Sequence, residues 1–373
     1  MRPPFPFLRA LAAAVAGLAL AGCASTADNL GYYWQSVRGH MQLMQAAEPI
    51  DRWIAREDVP APLRERLRLA QRARAFAVTE LGLPDNASYR RYADLRRPAA
   101  VWNVVASPPD ALRLHTWCFP LTGCIGYRGY FQEADAQAEG ARLAAQGLEV
   151  EVYGVPAYST LGYLDWMGGD PLLSTFIAWP EGEFVRLLFH ELAHQVVYAR
   201  DDTLFNESFA TAVERLGSAR WLTTQATPEA RQAFAASEAR RQQFRALTRA
   251  TRARLAAIYE QKEALTLNHQ ALPAMKTEAM QDFRTAYAQL RAGWQAPPVQ
   301  LAGYDRWVER ANNASFAAQA AYDTWVPAFE ALHAQGGGDW QRFYDAVRQL
   351  AALPQPERHE RLSALQPPPA ATP

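Results

Sequence analysis

Five consecutive residues concentrate the chemistry of this chain. His190-Glu191-Leu192-Ala193-His194 match the pattern H-E-x-x-H. On a helix, residues four apart lie on one face, so both imidazoles can reach one metal ion. Glu191 is turned by about 100° from His190. It can stand beside the ion without binding it, take a proton from an activated water and pass it to a leaving amine. Residues 187–197 are apolar apart from the motif and Gln195, which predicts a buried helix. Burying two imidazoles and a carboxylate without partners is costly, and a shared metal offsets that cost for the imidazoles. Imidazole and carboxylate donors suit zinc, Zn2+. The bland alternative is a pair of core histidines satisfied by hydrogen bonds.

A catalytic zinc usually keeps three protein ligands and one open position. Phe205-Asn206-Glu207-Ser208-Phe209 offers the third. Phe205, Phe209, Ala212, Val213 and Leu216 form one helical stripe, with Glu207 and Glu214 on the other side. Glu207 is the expected ligand. Glu214, two turns on, is a candidate acceptor for a ligand imidazole. Gly217 is the expected end of this helix. Asp201 and Asp202, in the connection, are rival ligands or simply a helix start.

The elements that must position these residues are mostly helical. Residues 29–98 read as helical, with Leu63, Leu67, Ala70, Ala73 and Ala77 at helical spacing. Residues 101–105, 126–131 and 149–153 read as strands and 134–146 as a helix, giving a small mixed β-sheet. Thr227-Pro228-Glu229 starts a long Arg-rich helix reaching about residue 262. Further helices are expected over 277–292, over 303–334 with a bend at Pro327, and over 340–350. The fold class expected is α+β, mostly helical. Residues 23–220 would hold N-terminal helices, the sheet and the metal site, 221–350 a helical C-terminal region, and 351–373 a partly disordered tail.

The 373 residues suffice for a sizeable core. Lys and Arg total 38 and Asp and Glu total 38, and this balance speaks against a nucleic-acid partner. Arg2, Arg9 and the apolar run 10–20 read as a signal peptide. The run is shorter than the 18 or so residues that span a bilayer. It ends in Leu20-Ala21-Gly22-Cys23, which resembles the bacterial lipobox. That resemblance implies loss of residues 1–22 and a lipid anchor on Cys23. Ala24 rather than Asp follows, pointing to the outer membrane, facing the periplasm. In that oxidising compartment Cys118 and Cys124 are candidates for a local disulfide. Two buried thiols, or a metal site using His115 and Cys118, are the alternatives.

Residues 190–195, Tyr198, Asp202-Thr203, 205–210 and Gly217 resemble an aminopeptidase family of bacterial lipoproteins. So do the runs 154–162 and 127–131, Asn312-Asn313-Ala314 and residues 326–329. The resemblance implies zincin-like site helices of the gluzincin kind, with His190, His194 and Glu207 as ligands and Glu191 as base. It also implies peptide substrates. Two departures stand out: a short gap from His194 to Glu207, and a loop lengthened by residues 166–169. Tyr158 and Tyr322 are candidate donors to the oxyanion. Asn312 and Asn313 could bond a peptide backbone, with capping or packing as the plainer role. Residues 127–131 could be a strand edge that a peptide joins, or an ordinary strand. The alternatives in function are an envelope endopeptidase and a zinc-binding lipoprotein without catalysis.

Overall fold

A computed structural model describes residues 31–119, 123–160, 168–261 and 271–366, with side chains at all of these except 321–323. The chain opens with α1 (31–46), β1 (Ala47–Pro49), α2 (Ile50–Ala55) and α3 (Ala61–Thr79). Next come β2 (Arg91–Ala93), β3 (Val101–Ser107), β4 (Trp117–Phe119), β5 (Gly123–Ile125), β6 (Arg128–Tyr130), α4 (Glu133–Ala144) and β7 (Glu149–Val155). β8 (Leu172–Leu173), α5 (Ser174–Ile177), α6 (Glu181–Ala193) and α7 (Thr203–Thr224) lead into the long α8 (Pro228–Glu260). The chain continues through α9 (Ala271–Ala292), α10 (Pro298–Arg310), α11 (Asn313–Asp323), α12 (Val326–Gln335), α13 (Trp340–Ala352) and α14 (Gln355–Leu365). The fold is α+β and mostly helical, as expected. Among the described residues, no helix is long and apolar enough to cross a membrane.

Two three-stranded sheets frame the helices. One runs β1-β2-β8, antiparallel then parallel; the other runs β6-β3-β7 and is antiparallel throughout. The back of the second sheet packs Trp102, Val104 and Tyr130 against Ala136 and Leu143 of α4. Its front carries Val101, Asn103, Gly129 and Val155 and faces α6 and α7 across a cavity. β4 and β5 form a hairpin closed by a Cys118–Cys124 disulfide.

The central pair is α6 and α7. Pro180 precedes the first turn of α6, and Glu181 and Glu183 lie in that turn, where acids complement the helix dipole. Phe184, Val185, Leu188, Phe189 and Leu192 recur at helical spacing and are all buried. α7 starts on the Asp202 side chain, which accepts from the Phe205 amide at 3.0 Å. Phe205 and Phe209 meet Phe329 of α12, and Phe76 of α3 stacks on Phe189. Removing one such ring would cost about 3–5 kcal/mol. A second cluster, with Phe244, Phe283, Val308 and Phe316, joins α8 to α11.

Several elements differ from the sequence expectation. α7 does not end at Gly217 but continues to Thr224. A Cβ at Gly217 would stand 2.7 Å from the Leu81 side chain and 3.1 Å from Phe189, so this glycine permits close packing rather than a stop. The span 29–98 is not wholly helical: β1 and β2 interrupt it, and three-residue strands are too short to show a period. The span 303–334 holds three helices, broken at Asn312 and Trp325. Pro327 sits in the first turn of α12, where its missing N–H costs nothing, instead of bending a continuous helix. Residues 355–365, read as part of a tail, form α14. Cys23, the segment 1–22 and residues 367–373 lie outside the described residues.

Candidate active site

His190 belongs to the last turn of α6, and His194 is its C-cap residue. Their Nε2 atoms stand 3.2 Å apart. The Oε2 of Glu207, in the second turn of α7, lies 3.4 Å from the His190 Nε2 and 3.6 Å from the His194 Nε2. All three side chains are buried, and one donor atom from each falls within 4.8 Å of the others.

The spacing of His194 and Glu207 is held by the loop between them. Asn206 accepts from the Ala199 amide and donates to the Ala199 carbonyl, both at 2.8 Å. Its side chain therefore ties the end of the α6 turn to the start of α7. Asp201 and Asp202, the rival ligands, serve elsewhere. Asp201 Oδ1 accepts from the Cys124 amide at 2.6 Å, so the disulfide hairpin is tied to this loop. Asp202 caps α7 and pairs with Arg358 at 2.7 Å and His359 at 2.8 Å.

Behind His190, its Nδ1 meets Glu214 Oε2 at 2.9 Å, and Glu214 Oε1 accepts from Arg186 Nε at 2.7 Å. Burial pushes the Glu214 carboxyl up, but the Arg186 guanidinium and His190 overcome this and hold it at about 2. An ionised Glu214 keeps a proton on Nδ1 of His190 and turns the Nε2 lone pair towards the ligand cluster. Burial raises Glu207 as well, and His194 and His190 together bring it down to about 2. Burial lowers His190, while its bonds to Glu207 and Glu214 more than reverse that, to about 10. The cluster is thus built around a positive charge, supplied by a proton or by a metal cation. Among the described residues the Nδ1 of His194 is buried without a hydrogen-bond partner, while its Nε2 faces His190 and Glu207. The donor set of two imidazoles and one carboxylate fits a zinc-like ion with one position left open.

Glu191, His190, His194 and Glu207 line a cavity of about 530 Å³. Burial raises the Glu191 carboxyl, partly countered by His190 and His194. The sheet wall of the cavity presents Tyr127, Gly129 and Phe131, and α1 adds Tyr32, Tyr33 and Ser36. Tyr158 also lines it, packed on Phe131 and His40. Tyr127 is the tyrosine that senses both Glu207 and Glu191, and burial holds its hydroxyl protonated well beyond the usual range. The side chain of Tyr322 lies outside the described ones. Asn312 and Asn313 do not line the cavity. Asn312 caps α11 and donates to Val150 O at 2.9 Å; Asn313 donates to Pro108 O and Ala111 O, both at 3.0 Å. They play the plainer role, joining α11 to the sheet.

Sequence reasoning missed Arg186, Asn206 and Asp170. Arg186 stands one turn before His190 on the same helix face, but spacing alone does not separate it from an exposed cation. Asp170 is buried, accepts from the Thr160 amide at 2.9 Å and from Gln195 Nε2 at 3.3 Å, and links the residue after His194 to the cavity rim. Burial raises its carboxyl to about 6, against its bonds to Thr160. No local pattern marks such a residue.

The family model described as "Putative aminopeptidase" matches residues 31–362, nearly all of the described chain. No curated protein and no solved structure matches.

Proposed function

The chain belongs to the family described as "Putative aminopeptidase", and from that premise we propose that it is a zinc-dependent peptidase with His190, His194 and Glu207 as ligands and Glu191 as general base. The observation that carries this reading is the convergence of three buried donor atoms within 4.8 Å, on the wall of the cavity that Glu191 also lines. When bound, the ion would act as a Lewis acid, activating water and polarising the scissile carbonyl.

The chain's own residues divide the remaining work. Glu214, fixed by Arg186, orients the His190 ring through Nδ1. Glu191 is not needed to fill the three-ligand set, and its raised proton affinity suits a group that takes a proton from water and delivers it to the leaving amine. The front of the sheet and α1 line the cavity that would receive the substrate. A purely structural metal site would have no use for a carboxylate of this kind beside it.

Glu191→Gln tests the assignment. The variant should keep its zinc and lose peptidase activity by about 10²–10⁴-fold. A variant as active as the parent would remove Glu191 from the role of base.

A further inference from the structure

β6 is the edge strand of the sheet beside the ligand cluster. Its inner side pairs with β3, with Gly129 opposite Asn103. On its outer side an added peptide strand would need the backbone groups of Gly129 and Phe131. Side chains of α1 already hold them. The Phe131 amide donates to Gln35 Oε1 at 3.1 Å, and Gln35 Nε2 reaches Gly129 O at 3.5 Å. The Tyr32 ring stands beside this edge, against Tyr130. One carboxamide thus meets an N–H and a C=O of the edge in the way a peptide group of a neighbouring strand would.

This arrangement is built in. Gly39 lets α1 approach the sheet: a Cβ there would come within 2.1 Å of the Phe131 ring. Leu43 and Met44 anchor the far end of α1 in the main core. Arg91 donates to Met44 O at 3.2 Å and also to Ala47 O. Tyr32 is sandwiched by the Arg128 guanidinium, 4.0 Å from its ring, and by Phe119 and Tyr130. The cavity next to α1 is walled by aromatic rings, among them Tyr33, Phe119 and Phe131.

We infer that α1 makes the site selective for chain ends, because Gln35, with the Tyr32 ring beside it, occupies the strand edge along which the interior of a polypeptide would have to run. The substrate class is then peptides that present a terminal residue, with an apolar or aromatic side chain, to the α1 end of the cavity. This rests on the peptidase reading above and supplies a physical reason for exopeptidase action within it. Gln35 is a specificity-determining residue here, not a catalytic one.

The test compares the zinc-loaded parent with Gln35→Ala and with Tyr32→Ala/Gln35→Ala. Each is given one peptide in three forms: free amino terminus, acetylated, and extended by several residues with the new terminus acetylated. Cleavage sites are read by mass spectrometry. The parent should cut the free-terminus form near its end and leave the other two nearly intact. The variants should raise the extended-to-free ratio of kcat/KM by roughly tenfold or more. Amide exchange at Phe131 should accelerate in the variants while their zinc content stays unchanged, which shows that the edge has opened in a folded protein. If the parent cuts extended peptides internally, or opened-edge variants keep the parent ratio, the inference about α1 is wrong and the peptidase reading stands. If no form is cut by the zinc-loaded parent, the peptidase reading fails and the inference falls with it.

Discussion

His190 has one ring nitrogen towards Glu214 and the other towards His194 and Glu207. The order of partners sets its chemistry. Arg186 keeps Glu214 ionised, Glu214 holds the Nδ1 proton, and Nε2 is left as a donor to a cation. A neutral amide at position 214 would keep the shape and lose the charge. Glu214→Gln should therefore weaken zinc binding by roughly 10–100-fold, with the ligands intact. Competition with a chelator measures this, and an affinity equal to the parent's would deny Glu214 that role. The two histidines, Glu191, Glu207 and Glu214 were legible from the sequence because they lie on two consecutive helices at regular spacing. Arg186 was not, since a single Arg on an apolar helix looks like any exposed cation until its acid is seen.

At the scale of elements, the site depends on how α6 is joined to α7. The loop is short, and its geometry is fixed by Asn206 bonding both backbone groups of Ala199. Asn206→Ala would strand a buried N–H and a buried C=O, at a cost of about 1–3 kcal/mol. The urea midpoint should fall accordingly, and zinc affinity should fall with it because the His194–Glu207 distance is no longer held. Parent-like stability and affinity would show that the loop needs no such tie. Strands β3 and β7 were readable because each is seven residues long with four β-branched or aromatic residues, enough to leave a pattern. The break at Asn312 was not read as one, although Asn312 and Ser315 form a capping box there. A helical pattern on both sides of a cap resembles one longer helix.

Over the whole molecule, the site lies within the larger of the cores, where α3, α6, α7 and α12 converge, and the sheet closes it from the front. The cluster formed by α8 to α11 buttresses this body without lining the cavity. Sequence patterns indicated the class of fold and the two histidines and the glutamate that converge in the cavity, both of which rest on local periodicity. They could not indicate that α1 would meet β6, because Gln35 and Phe131 are 96 residues apart and side-chain-to-backbone bonds leave no period in a sequence. The family match leaves the metal itself open to direct measurement. Elemental analysis of the purified chain decides it. One zinc per chain is expected at His190, His194 and Glu207, retained in Glu191→Gln and lost in His194→Ala. A folded parent chain that takes up no stoichiometric divalent metal would contradict it.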